Sequence, residues 1–338
     1  MKDLRKILLP LSWPYQGIMA LRNYAYKSQW LKSYEFDIPI IGIGNLSTGG
    51  TGKSPMTEYV IKLVQEKYRP AILSRGYGRK TSGFYELNEY SSALEVGDEP
   101  LQFKKKFSNV PVFVDENRVH GIEEILKSEV DIDMLVLDDV FQHRRVQPGF
   151  MILLTSYNSL FYEDFVLPAG NLRESAAGAN RADLIVITKC PPDLNQEVQN
   201  QILEKIRIYT SCRVYFSKIE YSDHLGGTDM LSIHELKKKP LTVVTGIAKP
   251  KPFLDYLKNN GLVFNEQRFA DHHNFTKKEI AYLDEIPNIL TTEKDYMRLE
   301  PHIKKANLYY LPIHFEFLNN KEAFNSQLLD YLDENIKR

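Results

Sequence analysis

The sequence predicts an α/β fold: a mainly parallel sheet flanked by helices, a second, smaller α/β unit across a cleft, and an amphipathic helical segment at the N-terminus. Three observations carry this. Short, continuously apolar runs recur along the chain, as in strands buried on both faces. Helical stretches separate several of them, the crossover that parallel neighbours need. A glycine-rich segment, GIGNLSTGGTGKSP from Gly42 to Pro55, falls where a strand meets a helix. The composition permits such a fold: 338 residues, 43% hydrophobic and 26% charged, exclude disordered and fibrous classes. Lysine and arginine number 43 against 44 acidic residues, a net charge of −1, so no bulk basicity calls for nucleic acid. Cys190 and Cys212 are too few for a disulfide framework or a cysteine zinc site, which fits a reducing, cytosolic compartment.

Residues 1–35 form the N-terminal segment. Residues 7–21 are apolar but broken by Pro10 and Pro14; Lys2, Arg5, Lys6, Arg22 and Lys27 flank them, with Trp13, Tyr15, Tyr24, Tyr26 and Trp30 in or near the stretch. That mixture suits a helical segment lying in a lipid headgroup interface, the alternative being a helical hairpin packed on the domain. No apolar run reaches the length of a simple membrane span, and no small-residue cleavage site suggests a signal peptide. Residues 36–210 read as the nucleotide-binding unit, with strands at 37–44, 70–74, 110–114, 134–138, 149–154 and 182–188 and helices at 53–67 and 116–128. Residues 211–338 read as the second unit, with strands at 214–221, 241–245, 262–264, 288–292 and 307–315. Its helices fall at about 252–260, 277–285 and 321–336.

The segment Ser47-Thr48-Gly49-Gly50-Thr51-Gly52-Lys53-Ser54 has the chemistry of a phosphate loop. Its glycines let successive amides point at phosphate oxygens, and the helix that follows adds its N-terminal dipole. Lys53 is placed to neutralise β/γ-phosphate charge and the Ser54 hydroxyl to ligate Mg²⁺. The strict pattern has glycine where Ser47 stands. The fold class is therefore P-loop NTPase-like. Asp138 and Asp139 follow four apolar residues, the place for metal-binding carboxylates, unless they only cap the next turn. A partitioning-type ATPase switch on the membrane surface is one candidate, but its signature lysine is Thr48 here. A guanine-reading [NT]-K-x-D after a strand is also missing: Thr188-Lys189-Cys190-Pro191 lacks the aspartate.

GNLSTGGTGKSP, SRGYGR (74–79), VGDEP (96–100), LDDVFQHR (137–144), LPAGNLRE (167–174), RADLIVITK (181–189), FADHHNF (269–275) and TTEKD (291–295) occur in this order. On these motifs the chain resembles the tetraacyldisaccharide 4'-kinase family, from the N-terminal segment to about residue 315. The resemblance implies ATP- and Mg²⁺-dependent transfer of the γ-phosphate to the 4'-hydroxyl of a tetraacylated glucosamine disaccharide 1-phosphate, giving lipid IVA in lipid A biosynthesis. It also implies a peripheral location at the cytoplasmic face of the inner membrane, with the lipid acceptor and the membrane surface as partners and no protein partner. Val140 stands where the family has glycine and Ser54 where threonine is common.

Transfer to a sugar hydroxyl needs a proton acceptor. Asp98, between Gly97 and Pro100, suits a carboxylate on a loop, though a plain turn is the alternative. Alone it is a weak base, with an ordinary pKa of about 3.9. The resemblance implies an Asp–His pair in which Asp98 is the aspartate; His272 is the choice for the histidine, which the sequence does not separate from His273. Arg75, Tyr77 and Arg79 follow a strand's C-terminal end, where ligands gather in parallel sheets, and are substrate candidates with Glu99. By resemblance Arg173 and Glu174 are substrate residues as well, a structural ion pair being the alternative. Glu293 and Lys294 are expected at the nucleotide base or ribose.

Overall fold

The computed structural model describes residues 5–336. Strand Ile40–Asn45 is buried at all six positions, because it lies near the middle of a nine-stranded sheet. From edge to edge the strands are Ile313–Phe317, Arg213–Tyr221, Leu184–Thr188, Phe150–Ser156, Ile40–Asn45, Met134–Leu137, Pro70–Ser74, Val112–Val114 and Tyr85–Glu86. Pairing is parallel except at the two edge strands. Helices cover both faces, and two apolar clusters, one per face, form the core. Central strands buried on both sides explain the unbroken apolar runs of the sequence.

The second sheet has five strands, in the order Asn265–Arg268, Thr242–Thr245, Asn288–Thr292, Asn307–Leu311 and Gly226–Gly227. It therefore draws on residues 226–311 alone. Three elements that the sequence placed in a unit beginning at 211 belong elsewhere. Strand Arg213–Tyr221 pairs with Leu184–Thr188 in the first sheet, and Ile313–Phe317 pairs back onto it. The run expected as one strand over 307–315 is two strands in different sheets, parted at Pro312, whose carbonyl accepts from the Ser222 amide. Helix Lys321–Asn335 returns to the first unit, seating Phe324, Leu328 and Leu332 in its core beside Tyr59 and Tyr215. Thus the chain enters and leaves the second sheet at two neighbouring points, 221–222 and 312–313. The strand expected at 262–264 starts at Asn265 instead. Gly261 turns left-handed at φ 76°, and Leu262 donates back to the Leu257 carbonyl, closing helix Lys251–Asn259 with a Schellman-type cap.

Among the described residues the N-terminal segment has a short 3-10 turn, Lys6–Leu8, leading into one helix, Leu9–Lys27, and no hairpin. Its inner face is tied down by polar contacts. Ser12 Oγ donates to the Val166 carbonyl at 2.9 Å, Tyr15 to that of Arg173 at 2.9 Å, and Arg22 to that of Gln142 at 2.8 Å. Its outer face carries Leu11, Ile18 and Leu21 at helical spacing, each 60–66% exposed, with Trp13 at 70% beside them and Ile7 at 74% in the 3-10 turn just before the helix. Among the described residues no helix is long and apolar enough to cross a membrane.

Candidate active site

Strand Ile40–Asn45 delivers the phosphate loop and helix Lys53–Val64 carries it away. Gly49 at φ 106° and Gly52 at φ 90° supply the left-handed turns that the loop needs. The loop is braced from three sides. The Thr48 amide donates to the Asn171 carbonyl at 2.7 Å, Thr188 Oγ1 to that of Thr51 at 2.7 Å, and Lys189 Nζ to that of Gly50 at 2.6 Å. Ser47 bridges to Leu172, so the loop fits a serine at the position where the strict pattern has glycine. Lys53 folds back over the loop, 3.5 Å from Asn45 Oδ1 and 3.6 Å from Asp139 Oδ1. Lys189, set aside as a guanine reader, is thus a loop brace.

The turn after strand Met134–Leu137 packs against Gly44, whose Cβ would lie 2.6–2.7 Å from Phe141 atoms. In this turn Asp139 takes φ 49°, a conformation uncommon for a non-glycine residue. Val140 needs no glycine geometry, since the left-handed residue is the one before it; its side chain is core, 1% exposed. Asp138 is 2% exposed and accepts from Ser74 at 3.3 Å, while its Oδ1 is buried without a partner. Burial, then Glu99 and Asp139, push its carboxyl up to about 7. Asp139 is held below its ordinary value: burial works the other way, but Lys53 and Arg173 outweigh it. The orphaned Asp138 oxygen, next in sequence to the Asp139 carboxylate that faces Lys53, is a group that could take a divalent cation together with phosphate oxygens.

Asp98 opens helix Asp98–Lys106 rather than lying on a loop, with Gly97 turning at φ 91° just before it. His272, itself at φ 56°, comes from the second unit to place Nδ1 3.2 Å from Asp98 Oδ2. His273 points elsewhere: it pairs with Glu279 at 3.0 Å and stacks on Phe269. Arg298, which sequence reasoning missed, grips this pair. Its Nε donates to Asp98 Oδ1 at 2.9 Å, and its Nη2 contacts Asp98 Oδ2 and lies 3.0 Å from His272 Nδ1. Lys294 Nζ is 3.1 Å from His272 Nε2 and 3.5 Å from Glu99. Residues 294 and 298 are one helical turn apart, so both side chains reach the same face, a signal present in the sequence. Tyr77, 66% exposed, sets its ring edge-on to His272 with centroids 5.5 Å apart.

Several expected site residues are placed otherwise. Arg79 is engaged by the Gly83 carbonyl and Glu116, which makes it a strut for the loop after strand Pro70–Ser74. Glu174 is 0% exposed and held by Arg181, Asn23 and Gln142, tying the N-terminal helix to the domain. It does not pair with Arg173, which reaches Asp139 at 3.3 Å. Glu293 does not face the phosphate loop: it is buried against Lys106 at 2.8 Å, and Lys106 also holds Glu58 at 2.7 Å. Lys294 lies in the Asp98–His272 cluster. Arg75 is exposed at the strand end, where its charge adds to the effect of burial, the larger cause, in lowering the pKa values of Arg118 and His143.

A family model described as tetraacyldisaccharide-1-P 4'-kinase matches residues 4–333. The chain belongs to this family. It is 46% identical over its whole length to the tetraacyldisaccharide 4'-kinase of Flavobacterium johnsoniae, all of which is covered. It is 40% identical to that of Bacteroides thetaiotaomicron, with 99% of this chain and 95% of the relative covered. The crystal structure of LpxK from Aquifex aeolicus in complex with ATP superposes with a TM-score of 0.79 at 31% identity, covering 97% of this chain and 99% of that one. The match takes in both sheets and the N-terminal helix, so the 4'-kinase family accounts for the whole architecture. A transferase-free ATPase switch is not favoured.

Proposed function

We propose that this chain transfers the γ-phosphate of ATP to the 4'-hydroxyl of a tetraacylated glucosamine disaccharide 1-phosphate, with Mg²⁺, at the cytoplasmic face of the inner membrane. The observation that supports it is the convergence of Lys53, Asp138 and Asp139 on one unit with an Asp98–His272 pair shared between two units. The phosphate loop holds the triphosphate, and Lys53 offsets charge on the transferred group. Asp138, Asp139 and Ser54 would hold the cation, which when bound would neutralise phosphate charge. The acceptor oxygen attacks phosphorus as the bond to the ADP oxygen breaks, and its proton passes to His272 Nε2. Asp98 steadies the imidazole through Nδ1. Lys294 now occupies the Nε2 side, so an entering hydroxyl displaces it. The second unit excludes water from the cleft.

The exposed stripe of the N-terminal helix supports docking at the membrane, where the acceptor's acyl chains stay in lipid. The test is transfer of labelled γ-phosphate to acceptor in vesicles and to a short-chain soluble analogue, for the parent and for Ile18→Asp/Leu21→Asp. Product from the parent on both acceptors, with the variant impaired about tenfold or more on vesicles only, is the expected outcome. ATP hydrolysis with no labelled lipid would overturn the kinase reading. Equal loss on both acceptors would overturn docking by this helix.

A further inference from the structure

His272 makes one contact that the transfer step does not use. Its Nδ1 lies 3.2 Å from Asp98 Oδ2 and 3.0 Å from Arg298 Nη2, and its Nε2 lies 3.1 Å from Lys294 Nζ. A guanidinium and an ammonium only donate. The Nε2 lone pair therefore accepts from Lys294, and Nδ1 carries the ring hydrogen, directed at Asp98. Lys294 thus caps the very nitrogen that takes the acceptor's proton. The ring itself is pinned. The His272 amide donates to the Gly246 carbonyl at 3.2 Å, its backbone sits at φ 56°, and Tyr77 lies edge-on to the imidazole. Asp271 Oδ1 is 4.0 Å from Nε2, beyond hydrogen-bond reach. The movable part is the cap. Lys294 has a flexible four-carbon stem, and Glu99 Oε1 of the first unit, 3.5 Å from Nζ, offers its ammonium a second partner.

We propose that Lys294 is a positioning residue that keeps His272 from activating water: it covers Nε2 until the acceptor hydroxyl displaces it, making the enzyme selective for a sugar hydroxyl over water. The inference rests on the kinase reading above and deepens it. Transfer and hydrolysis share one chemical step. A bond forms from the nucleophile's oxygen to phosphorus, the bond from phosphorus to the ADP oxygen breaks, and the nucleophile's proton passes to Nε2. Only the source of the oxygen differs, so an uncovered base beside bound ATP would serve water as well. An acceptor held along its length has binding energy with which to move the ammonium across to Glu99, and a single water has not. Position supports this reading. Lys294 and Arg298 share one face of helix Glu293–Leu299, which is fastened to the first unit by the Glu293–Lys106 and Arg298–Asp98 pairs. The cap therefore travels with the piece that orients Asp98, and is in place whenever the Asp98–His272 pair is assembled.

The test measures two rates with ATP and Mg²⁺: transfer of labelled γ-phosphate to the tetraacyldisaccharide 1-phosphate in nonionic micelles, and release of inorganic phosphate without acceptor. The parent is compared with Lys294→Met, Lys294→Arg and Lys294→Met/His272→Ala. The Lys294 side chain is 23% exposed and outside the apolar core, so the variants fold, which thermal unfolding checks. Lys294→Met is expected to raise acceptor-independent hydrolysis about tenfold or more, part of the 10²–10⁴-fold or so that a general base supplies. Its kcat for transfer stays within about threefold of the parent's, because the ammonium has left Nε2 before that step. Lys294→Arg keeps a donor at Nε2 and holds hydrolysis near the parent's rate. The double variant loses the added hydrolysis, since that passes through His272. A purely structural role would lower both rates together, and hydrolysis unchanged or reduced in Lys294→Met overturns the proposal. So does added hydrolysis that survives the loss of His272. Added hydrolysis in Lys294→Met, from an enzyme whose parent labels no lipid, would sustain the cap and sink the kinase reading.

Discussion

Lys53→Ala lowers kcat for phosphoryl transfer about 10³-fold while the protein keeps its fold. The expectation follows from what Lys53 touches. Its ammonium lies 3.6 Å from Asp139 and 3.5 Å from Asn45 Oδ1, above a loop whose backbone is held by Thr188, Lys189 and Asn171. Those braces do not involve the lysine side chain, so the loop survives its removal. What is lost is a charge that matters most as negative charge shifts during transfer, which is why kcat falls more than ATP affinity. Steady-state kinetics with nucleotide binding measured on the same sample checks this. A variant that retains kcat but binds ATP poorly would make Lys53 a ground-state anchor only.

Glu293→Gln raises stability at alkaline pH and flattens its dependence on pH. Lys106 is shared between Glu58 and Glu293 at 2.7 and 2.8 Å, so two buried carboxylates have one ammonium between them. Burial first, then Glu58, push Glu293 up to about 7, and one of its oxygens is buried without a partner. A carboxyl whose pKa is raised on folding binds a proton more tightly in the folded state. Its contribution to stability is fully present below the ordinary value of 4.5 and is lost as pH rises through about 7. At 1.36 kcal/mol per pKa unit, the loss across that window is about 3 kcal/mol. Denaturant unfolding at pH 5 and pH 8 reads it directly. The parent loses stability between the two, and the variant loses less. An identical pH dependence in both proteins would place the proton elsewhere.

The phosphate loop was legible because its parts are contiguous: glycines, lysine and serine act through one strand–loop–helix junction, and Asp138 and Asp139 announce themselves at a strand end. Asp98 and His272 were legible through motif resemblance, while the choice of His272 over His273 needed the fold, which gives His273 to Glu279 and Phe269. The second unit's extent was not legible. Strand Arg213–Tyr221 has a pattern that suits either sheet, and only hydrogen bonding to Leu184–Thr188 decides. Glu174 and Glu293 illustrate the same limit. Each sits in a motif next to a site residue, yet adjacent side chains on a turn or helix point apart, and both carboxylates are buried in ion pairs behind the cleft. Arg298 carried the reverse signal: its spacing from Lys294 marked it, but no motif did.

The central claim is that one proton acceptor is assembled from two units, Asp98 from the first and His272 from the second. Transfer of labelled γ-phosphate from ATP to the tetraacyldisaccharide 1-phosphate, with Asp98→Ala and His272→Ala run singly and together, tests it most directly. The account predicts product from the parent, a loss of about 10²–10⁴-fold in each single variant, and a double variant little worse than either, because the two act as a unit. Product from Asp98→Ala at the parent's rate, or losses that multiply in the double variant, would contradict it.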